Sequence, residues 1–247
     1  MDEAVVESAG ASGRRSVDAG RGLAWWTEAW GLFMKNPGMW LVFGVIFFVG
    51  CAVLGFIPVI GGIAAAVLAQ VIAGGWMLSA HKLDGGGTLE LNDLFSGFKD
   101  KLNPLLVLGA VAIVATLIIA AVMFVLGAGA VMGIIAGGAN RSGSGMLAGA
   151  GFGLLALIVC LGLSFVFAMA FWFAPALVVL RGVEPVAALK QSWSATVANL
   201  AAFVVFGVLW IVAAVIASIP FALGWLLLVP LTMLGMYASF RDVFGQA

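Results

Sequence analysis

Six apolar runs, each long enough to cross a lipid bilayer as a helix, constrain this chain more than any other feature of its sequence. A bilayer core about 30 Å thick needs on the order of 20 apolar residues in a helix. Only 9% of the 247 residues are charged, against roughly 25% in soluble domains, and the six runs contain no Asp, Glu, Lys or Arg. The sequence therefore predicts an all-α integral membrane protein with six transmembrane helices arranged as three hairpins. The runs cover residues 37–57, 60–81, 104–128, 150–180, 200–218 and 221–240.

The positively charged residues predict the orientation of these helices. If successive helices cross in alternate directions, ten of the eleven Lys and Arg residues fall on one side of the membrane and only Arg141 falls on the other. The side richer in Lys and Arg is normally cytoplasmic, so both termini are expected in the cytoplasm and the protein in a bacterial inner membrane. The net charge of zero gives no reason to expect a nucleic-acid partner. The ten residues are Arg14, Arg15, Arg21, Lys35, Lys82, Lys99, Lys101, Arg181, Lys190 and Arg241.

One junction recurs before the first, third and fifth apolar runs. In each copy an aromatic-bearing segment leads to an asparagine and then to hydrocarbon, and the asparagines are Asn36, Asn103 and Asn199. Pro37 and Pro104 follow the first two. Asparagine is a favoured N-cap and proline a favoured first helical residue. Each asparagine is therefore expected to end one helix and to begin the next.

This recurrence predicts a single membrane domain over residues 19–243, built of three repeats at 19–82, 88–181 and 184–243. Residues 1–18 are polar and small and have no hydrophobic period, so they are expected to form a disordered tail. They lack the apolar core of a cleavable signal peptide, and no cleavage is expected.

The segment before each asparagine is predicted to be an amphipathic helix that lies in the cytoplasmic interface of the membrane. In the first segment apolar residues recur at steps of three and four, and charged residues fall on the opposite side at steps of seven. A helix with one charged face and one aromatic face lies in the interface plane instead of crossing the bilayer. The alternative is a cytosol-facing helix packed on the bundle.

The apolar stripes of these three segments have the following members. They are Leu23, Trp26, Trp30 and Phe33 in the first, with Arg21, Glu28 and Lys35 opposite; Leu91, Leu94, Phe95, Phe98 and Leu102 in the second; and Val186, Leu189, Trp193 and Val197 in the third. The residues expected to act as interfacial or structural positions are Trp26, Trp30, Phe33, Asn36, Phe95, Phe98, Asn103, Trp193 and Asn199.

The third and fourth apolar stretches are longer than a bilayer requires. Residues 104–137 and 146–180 would each form a helix of roughly 50 Å at 1.5 Å per residue. We expect these helices to tilt and protrude; the alternative is that the glycine-rich ends around residues 127–138 bend back. Small residues at every fourth position favour close helix contact, and a glycine-lined pore is the alternative meaning. The glycines are Gly129, Gly133 and Gly137 on one arm and Gly145, Gly149 and Gly153 on the other.

Catalytic chemistry is not expected, because the spans supply neither a nucleophile with a base nor paired carboxylates. His81 lies near four acidic residues in sequence, and a solvated loop explains that grouping better than an active site. Cys51 and Cys160 have no second ligand at metal spacing and are interpreted as reduced packing residues. No cofactor and no metal are expected. The four acidic residues are Asp84, Glu90, Asp93 and Asp100.

A resemblance to other proteins rests on two runs and on the predicted arrangement of six spans preceded by interfacial helices. The runs are AWGLFMKNP (residues 29–37) and ALKQSWSATVANL (residues 188–200). The chain resembles a loose group of uncharacterised bacterial inner-membrane proteins. That group is similar in pattern to the membrane domain of some glycerophosphoryl diester phosphodiesterases. The resemblance covers most of residues 19–243 and implies a six-span fold, but this chain has no phosphodiesterase domain from which an activity would follow.

Two functions remain after these exclusions. The first is a non-catalytic membrane scaffold or envelope-homeostasis component; the second is an uncoupled facilitator of lipid or amphiphile movement. Ion-coupled transport is disfavoured, because ionisable residues within spans usually mark the ion path. Pro175 and Pro230 are interpreted as helix kinks, with a lateral groove as the alternative. Membrane lipids are the expected partners, with a protein partner or a homo-oligomer left open.

Overall fold

The computed structural model describes residues 14–99, 101–139, 143–221 and 223–245. Within these ranges the chain is helical and contains no β-strand, which confirms the all-α prediction. In order the elements are α1 (Arg21–Lys35), α2 (Pro37–Gly55), α3 (Ile60–Asp84), a 3-10 helix (Leu91–Phe98), α4 (Leu102–Ala139), α5 (Gly143–Trp172), α6 (Ala174–Arg181), α7 (Pro185–Ala198), α8 (Leu200–Ser218) and α9 (Trp225–Phe244).

Six helical segments in the described residues are long and apolar enough to span a membrane, as predicted. Five are single helices, namely α2, α3, α4, α8 and α9, and the sixth is the segment Gly143–Arg181, which comprises α5 and α6. This segment is interrupted at Phe173, just before Pro175. Because proline has no N–H and obstructs the preceding turn, the helix breaks there, and the N–H of Phe173 donates to the Ser192 hydroxyl at 2.9 Å.

The described residues form two compact units. Unit 1 lies within Met1–Ala110 and Ala170–Ala247, and unit 2 lies within Val111–Met169. The core of unit 1 consists of large aromatic side chains that are almost completely buried. They include Trp25, Trp40, Trp76, Phe43, Phe173 and Phe240.

Unit 2 is built on contacts between glycines of α4 and α5. A Cβ atom on Gly133 would lie 2.6 Å from the Cα of Gly149, and one on Gly149 would lie 2.7 Å from the carbonyl oxygen of Ala130. The helices approach this closely because neither glycine carries a side chain, which confirms packing as the role of these glycines. Helix α4 is continuous from Leu102 to Ala139, so the glycines at 127–138 do not bend the chain back. Arg141, between the two helices, lies outside the described residues.

The beginning of the described chain is attached to unit 1. The N–H of Arg15 donates to the carbonyl oxygen of Val243 at 2.7 Å, and the N–H of Val17 donates to Oδ1 of Asn199 at 2.7 Å. Arg14 also contacts the Ser194 hydroxyl. Residues 14–18 therefore do not belong to a free tail, because backbone hydrogen bonds fix them; the other part of the predicted tail, residues 1–13, lies outside the described residues.

Candidate functional site

Helix α1 has two apolar faces rather than one. The inward face buries Gly22, Trp25, Ala29, Leu32 and Phe33. A Cβ on Gly22 would collide with the carbonyl oxygen of Ala202 in α8, so the absence of a side chain lets the two helices touch. Through this face α1 packs against the other helices of unit 1, which is the arrangement given above as the alternative to an interfacial helix.

The outward face of α1 is also apolar. Leu23, Trp30 and Met34 are 54%, 47% and 55% exposed, and their spacing of seven and four residues places them on one side of the helix. Trp26 is half-buried and stacks on Phe206 with ring centroids 5.1 Å apart. The predicted stripe is therefore divided, since Phe33 points inward while Leu23 and Trp30 remain exposed.

The charged residues of α1 are not simply a solvated face. Arg21 contacts Asp242 at 2.6 Å and Glu28 at 2.7 Å, and Arg241 contacts the other oxygen of Glu28 at 2.8 Å. Lys35 lies 3.6 Å from Asp84. Because Asp84 belongs to α3, and Arg241 and Asp242 belong to α9, the ion pairs join α1 to the ends of two spans.

We call this set the charged network; its members are Arg21, Glu28, Lys35, Asp84, Arg241 and Asp242. It contains three cations and three carboxylates, so it is neutral as a group. Each member is partly exposed, and an isolated pair of this kind is worth only about 0–1 kcal/mol. The hydrogen bond that Arg21 donates to Asp242 is the main reason that the pKa of Arg21 is raised above its usual value, and this guanidinium stays charged at any physiological pH.

Neutral side chains extend the charged network into the core of unit 1. The indole N–H of Trp25 donates to Asp242 at 2.9 Å. The hydroxyl of Tyr237 donates to Asp84 at 3.2 Å, and the same hydroxyl lies 3.3 Å from Nδ1 of His81. These contacts give His81 a structural role between α3 and α9.

The second predicted amphipathic segment is a 3-10 helix rather than an α-helix. It is packed against α3 through two glycines: a Cβ on Gly75 would collide with the carbonyl oxygen of Leu94, and one on Gly97 would collide with that of Val71. Phe95 is 40% exposed, and Phe98 is half-buried. With three residues per turn, a 3-10 helix aligns residues three apart, so Phe95 and Phe98 lie on one side.

The third segment, α7, turns its small residues inward. Its buried residues are Ala188, Ser192, Ala195 and Thr196. The predicted apolar stripe points away from the protein, since Val186, Trp193 and Val197 are 52%, 39% and 45% exposed. The fourth member of the predicted stripe, Leu189, is half-buried, so three of the four residues are exposed.

The three asparagines do not share one role. Asn36 caps α2 as predicted, since its Oδ1 accepts the N–H of Met39 at 3.3 Å. Asn103 lies inside α4, which begins at Leu102, so it does not precede the helix; its side chain is exposed.

Asn199 lies between α7 and α8 but makes no side-chain cap for α8. Its Nδ2 donates to the carbonyl oxygens of Ala195 at 2.9 Å and Arg15 at 3.1 Å, while its Oδ1 accepts from Val17. The expected cap is wrong here, because the side-chain oxygen of Asn199 accepts the N–H of Val17 and not an N–H of α8.

The acidic residues near His81 also have structural partners. Asp93 pairs with Lys82 at 2.9 Å and accepts the N–H of Glu90 at 2.7 Å, which closes the N-terminus of the 3-10 helix. Asp84 belongs to the charged network, and Asp100 lies outside the described residues. Among the residues that the structure describes, no group of three or more His, Cys, Asp or Glu side chains could hold a metal ion.

Several residues of this site were not singled out from the sequence. Trp25, Arg241 and Asp242 take part in the side-chain hydrogen bonds between α1 and α9, and Tyr237 joins α9 to Asp84 of α3. The sequence did show charged residues at steps of seven on α1. Charges at this spacing lie on one face of a helix, where they can pair with another helix as well as face solvent. The partner at the end of α9 was too distant in sequence to be identified.

Comparison with known proteins supports a membrane location. The chain is 29% identical over 251 aligned residues, covering 93% of both chains, to the probable inner membrane protein BTH_II0599 of Burkholderia thailandensis. No protein family matches the sequence, and no solved structure matches it. None of these comparisons connects the chain with glycerophosphoryl diester phosphodiesterases. Together, the six apolar helices and this relative confirm the prediction of an integral, all-helical protein of the inner membrane.

Proposed function

We propose that this protein is a non-catalytic scaffold or envelope-homeostasis component that holds the cytoplasmic leaflet of the inner membrane through its short helices. The observation that carries the proposal is the pair of faces on α1 and α7. Each helix is fixed to unit 1 on one side and presents an apolar stripe on the other. An exposed apolar stripe on a helix at the end of a membrane bundle favours contact with acyl chains near the headgroups.

In this proposal the spans form three hairpins, and each is preceded by a short interfacial element on the cytoplasmic side. The Lys and Arg distribution supports this orientation. The charged network supports a fixed rather than mobile attachment, because it joins α1 to two spans at several points. The protein would act through shape and lipid contact, with no chemical step.

Site-directed fluorescent labels on the short helices test the interfacial placement. In a variant without native cysteines, single cysteines would replace Leu23, Met34 and Val186, which are exposed, and be labelled in proteoliposomes. Lipids brominated near the headgroup should quench these labels more strongly than lipids brominated near the chain end. A label introduced at Lys190, an exposed polar position of α7, is the control and should be quenched weakly by both. If lipids brominated near the chain end quenched the labels at positions 23, 34 and 186 most strongly, or if neither lipid quenched them, the proposal would be contradicted.

The second candidate function is facilitated movement of a lipid or amphiphile. It is favoured by an apolar groove of about 330 Å³ in unit 1, between α2, α3 and the 3-10 helix. We call it the α2–α3 groove; its lining includes Phe47, Cys51, Ile72, Phe95 and Phe98. Cys51 is exposed there, whereas it was expected to be a packing residue.

A scrambling assay distinguishes the two functions. Purified protein would be placed in liposomes that contain a fluorescent phospholipid, and dithionite would report how much of it becomes accessible from outside. A scaffold leaves the inner-leaflet fraction protected, as in protein-free liposomes. Rapid loss of that protected fraction would establish the facilitator and contradict the scaffold.

A further inference from the structure

The 3-10 helix has a different chemical character on its two exposed sides. Asp93, Ser96 and, just after the helix, Lys99 follow one another at steps of three and line a polar pocket. Phe95 and Phe98, also three residues apart, line the α2–α3 groove. A helix with three residues per turn produces such columns directly. The same short element therefore borders two cavities, one lined by charged and polar side chains with Leu78 and the other by apolar side chains.

The polar pocket has a volume of about 280 Å³ and carries three lysines, Lys82, Lys99 and Lys101. Lys82 is held by Asp93, with Nζ 2.9 Å and 3.1 Å from the two carboxylate oxygens. Within the described part of the chain neither Lys99 nor Lys101 forms an ion pair; Asp100, between them in sequence, lies outside it. The described lining thus has three positive charges and one negative charge, which favours an anionic ligand.

The α2–α3 groove has the opposite composition. Its lining residues, from Ile46 to Leu54 on α2 and from Ala65 to Ile72 on α3, are all apolar. They lie within two spans, so the groove is at the depth of the hydrocarbon. A water-soluble ligand would gain nothing from such a surface, whereas an acyl chain would fill it.

The distance between the two cavities suits one amphiphilic molecule. Ile72 borders the groove and Ser79 borders the polar pocket, and seven residues of α3 correspond to about 10 Å along the helix. The polar pocket lies toward the end of α3, beside Lys82, and the groove lies deeper. This order matches a phospholipid, whose phosphate lies nearer the membrane surface than its acyl chains.

We propose that unit 1 binds an anionic phospholipid, with its phosphate in the polar pocket of Lys82, Lys99 and Lys101 and one acyl chain in the α2–α3 groove. Basic pockets at the cytoplasmic ends of spans are typical binding sites for anionic headgroups. The inference rests on the proposed function, because it assigns one lipid class to a protein that contacts lipid generally. It holds for the scaffold and for the facilitator alike.

Native mass spectrometry of the purified protein tests the site. The protein in detergent would be titrated with phosphatidylglycerol or with phosphatidylcholine of the same chains, and the fraction carrying one lipid would be measured. We expect clear preference for phosphatidylglycerol at the first bound lipid. Equal retention of the two lipids would overturn the proposal, while the labels on Leu23, Met34 and Val186 would still report on interfacial placement independently.

A charge variant tests the pocket. Lys99→Gln with Lys101→Gln should weaken phosphatidylglycerol binding about thirtyfold, since each of the two lysines near a lipid surface contributes about 1 kcal/mol, and should leave phosphatidylcholine binding unchanged. The matched control is Arg14→Gln with Lys190→Gln, which removes two positive charges from a different pocket of unit 1 and should retain the preference. Equal weakening in both double variants would show that net charge alone is responsible, and would overturn the site.

A filling variant tests the groove. Gly50 lines the groove, and neither it nor Gly55, on the same helix, has any atom within 4 Å of a Cβ position. Gly50→Phe should reduce phosphatidylglycerol retention several-fold, and Gly55→Phe should not. Excess inorganic phosphate should fail to displace the lipid. If Gly50→Phe binds as the unmodified protein does, or if phosphate alone competes, the acyl-chain part of the proposal is wrong.

Discussion

Unit 1 and unit 2 are both assemblies of apolar helices, but different groups make their contacts. In unit 1, large side chains such as Trp25, Trp40 and Trp76 fill the space between helices, and the charged network adds polar contacts at one end. In unit 2 the glycines Gly133 and Gly149 bring helix backbones together. Lipid gives apolar helices no hydrophobic reason to associate. The comparison shows two ways in which helices associate in lipid. In unit 1 they pack through large buried side chains and polar contacts, and in unit 2 their backbones approach closely.

Loss of a large buried side chain should have the greatest effect in unit 1. Trp25 is completely buried and donates to Asp242, so Trp25→Ala should lower the free energy of unfolding by about 3–5 kcal/mol. Trp30→Ala, on the exposed face of the same helix, should change it by less than about 1 kcal/mol. Unfolding in mixed detergent micelles with increasing dodecyl sulfate measures both. Similar losses would mean that burial of α1 does not stabilise unit 1.

The smallest possible addition should disrupt unit 2. A Cβ on Gly149 would lie 2.7 Å from both the carbonyl oxygen of Ala130 and the backbone nitrogen of Ile134. Backbone cannot move aside as a side chain does, so Gly149→Ala should destabilise the protein by about 3 kcal/mol, the upper end for overpacking. Gly151→Ala, with open space around its Cβ, should be neutral or should stabilise α5 by up to about 1 kcal/mol. Thermal unfolding in detergent compares the two, and equal effects would remove glycine contact as the basis of unit 2.

The charged network should contribute less than the buried tryptophan. Arg241 bridges Glu28 and Asp84 at 2.8 Å and 2.7 Å, and Arg241→Gln should cost about 1–2 kcal/mol, because both carboxylates lose a charged partner while remaining partly hydrated. Lys35→Gln removes a longer and more exposed contact of 3.6 Å and should cost about 0–1 kcal/mol. Dodecyl sulfate unfolding again measures the difference. If Lys35→Gln were the more damaging change, the bridging role of Arg241 would be refuted.

The helix caps should have the smallest effect and should differ between copies. Asn36→Leu removes the acceptor for the N–H of Met39 and should cost about 1 kcal/mol, whereas Asn36→Ser keeps a cap and should be nearly neutral. Asn103→Leu should change stability little, because Asn103 is exposed inside α4. Comparable losses at Asn36 and Asn103 in thermal unfolding would restore a shared role for the two asparagines.

The parts of this fold that were predictable depend on local signals. The six spans follow from the length of the apolar runs, and the contacts of unit 2 follow from glycines repeated every fourth residue. Each of these patterns can be recognised within a single helix, without knowledge of its partner. The cap at Asn36 is likewise local, because its acceptor serves a residue three positions away.

The parts that were not predictable depend on distant partners. Helix α1 is apolar on two sides, and only the positions of α8 and α9 decide that Trp25 is buried and Trp30 exposed. Arg241 pairs with Glu28 across 213 residues, so the charge of one residue did not identify the other as its ion-pair partner. Asn199 resembled a cap because of its neighbours, but its amide is occupied by Arg15 and Val17, near the opposite end of the chain.

The contacts of α1 with α9 also determine when during biosynthesis the protein can become complete. Arg21 and Asp242 are separated by 221 positions, and a ribosome adding about 5–20 residues per second needs roughly 10–45 s to make the second after the first. During this interval the inward face of α1, with Trp25, has none of its α9 partners. Helix α1 precedes all six spans in the chain, yet it can complete its contacts only after α9 has been made.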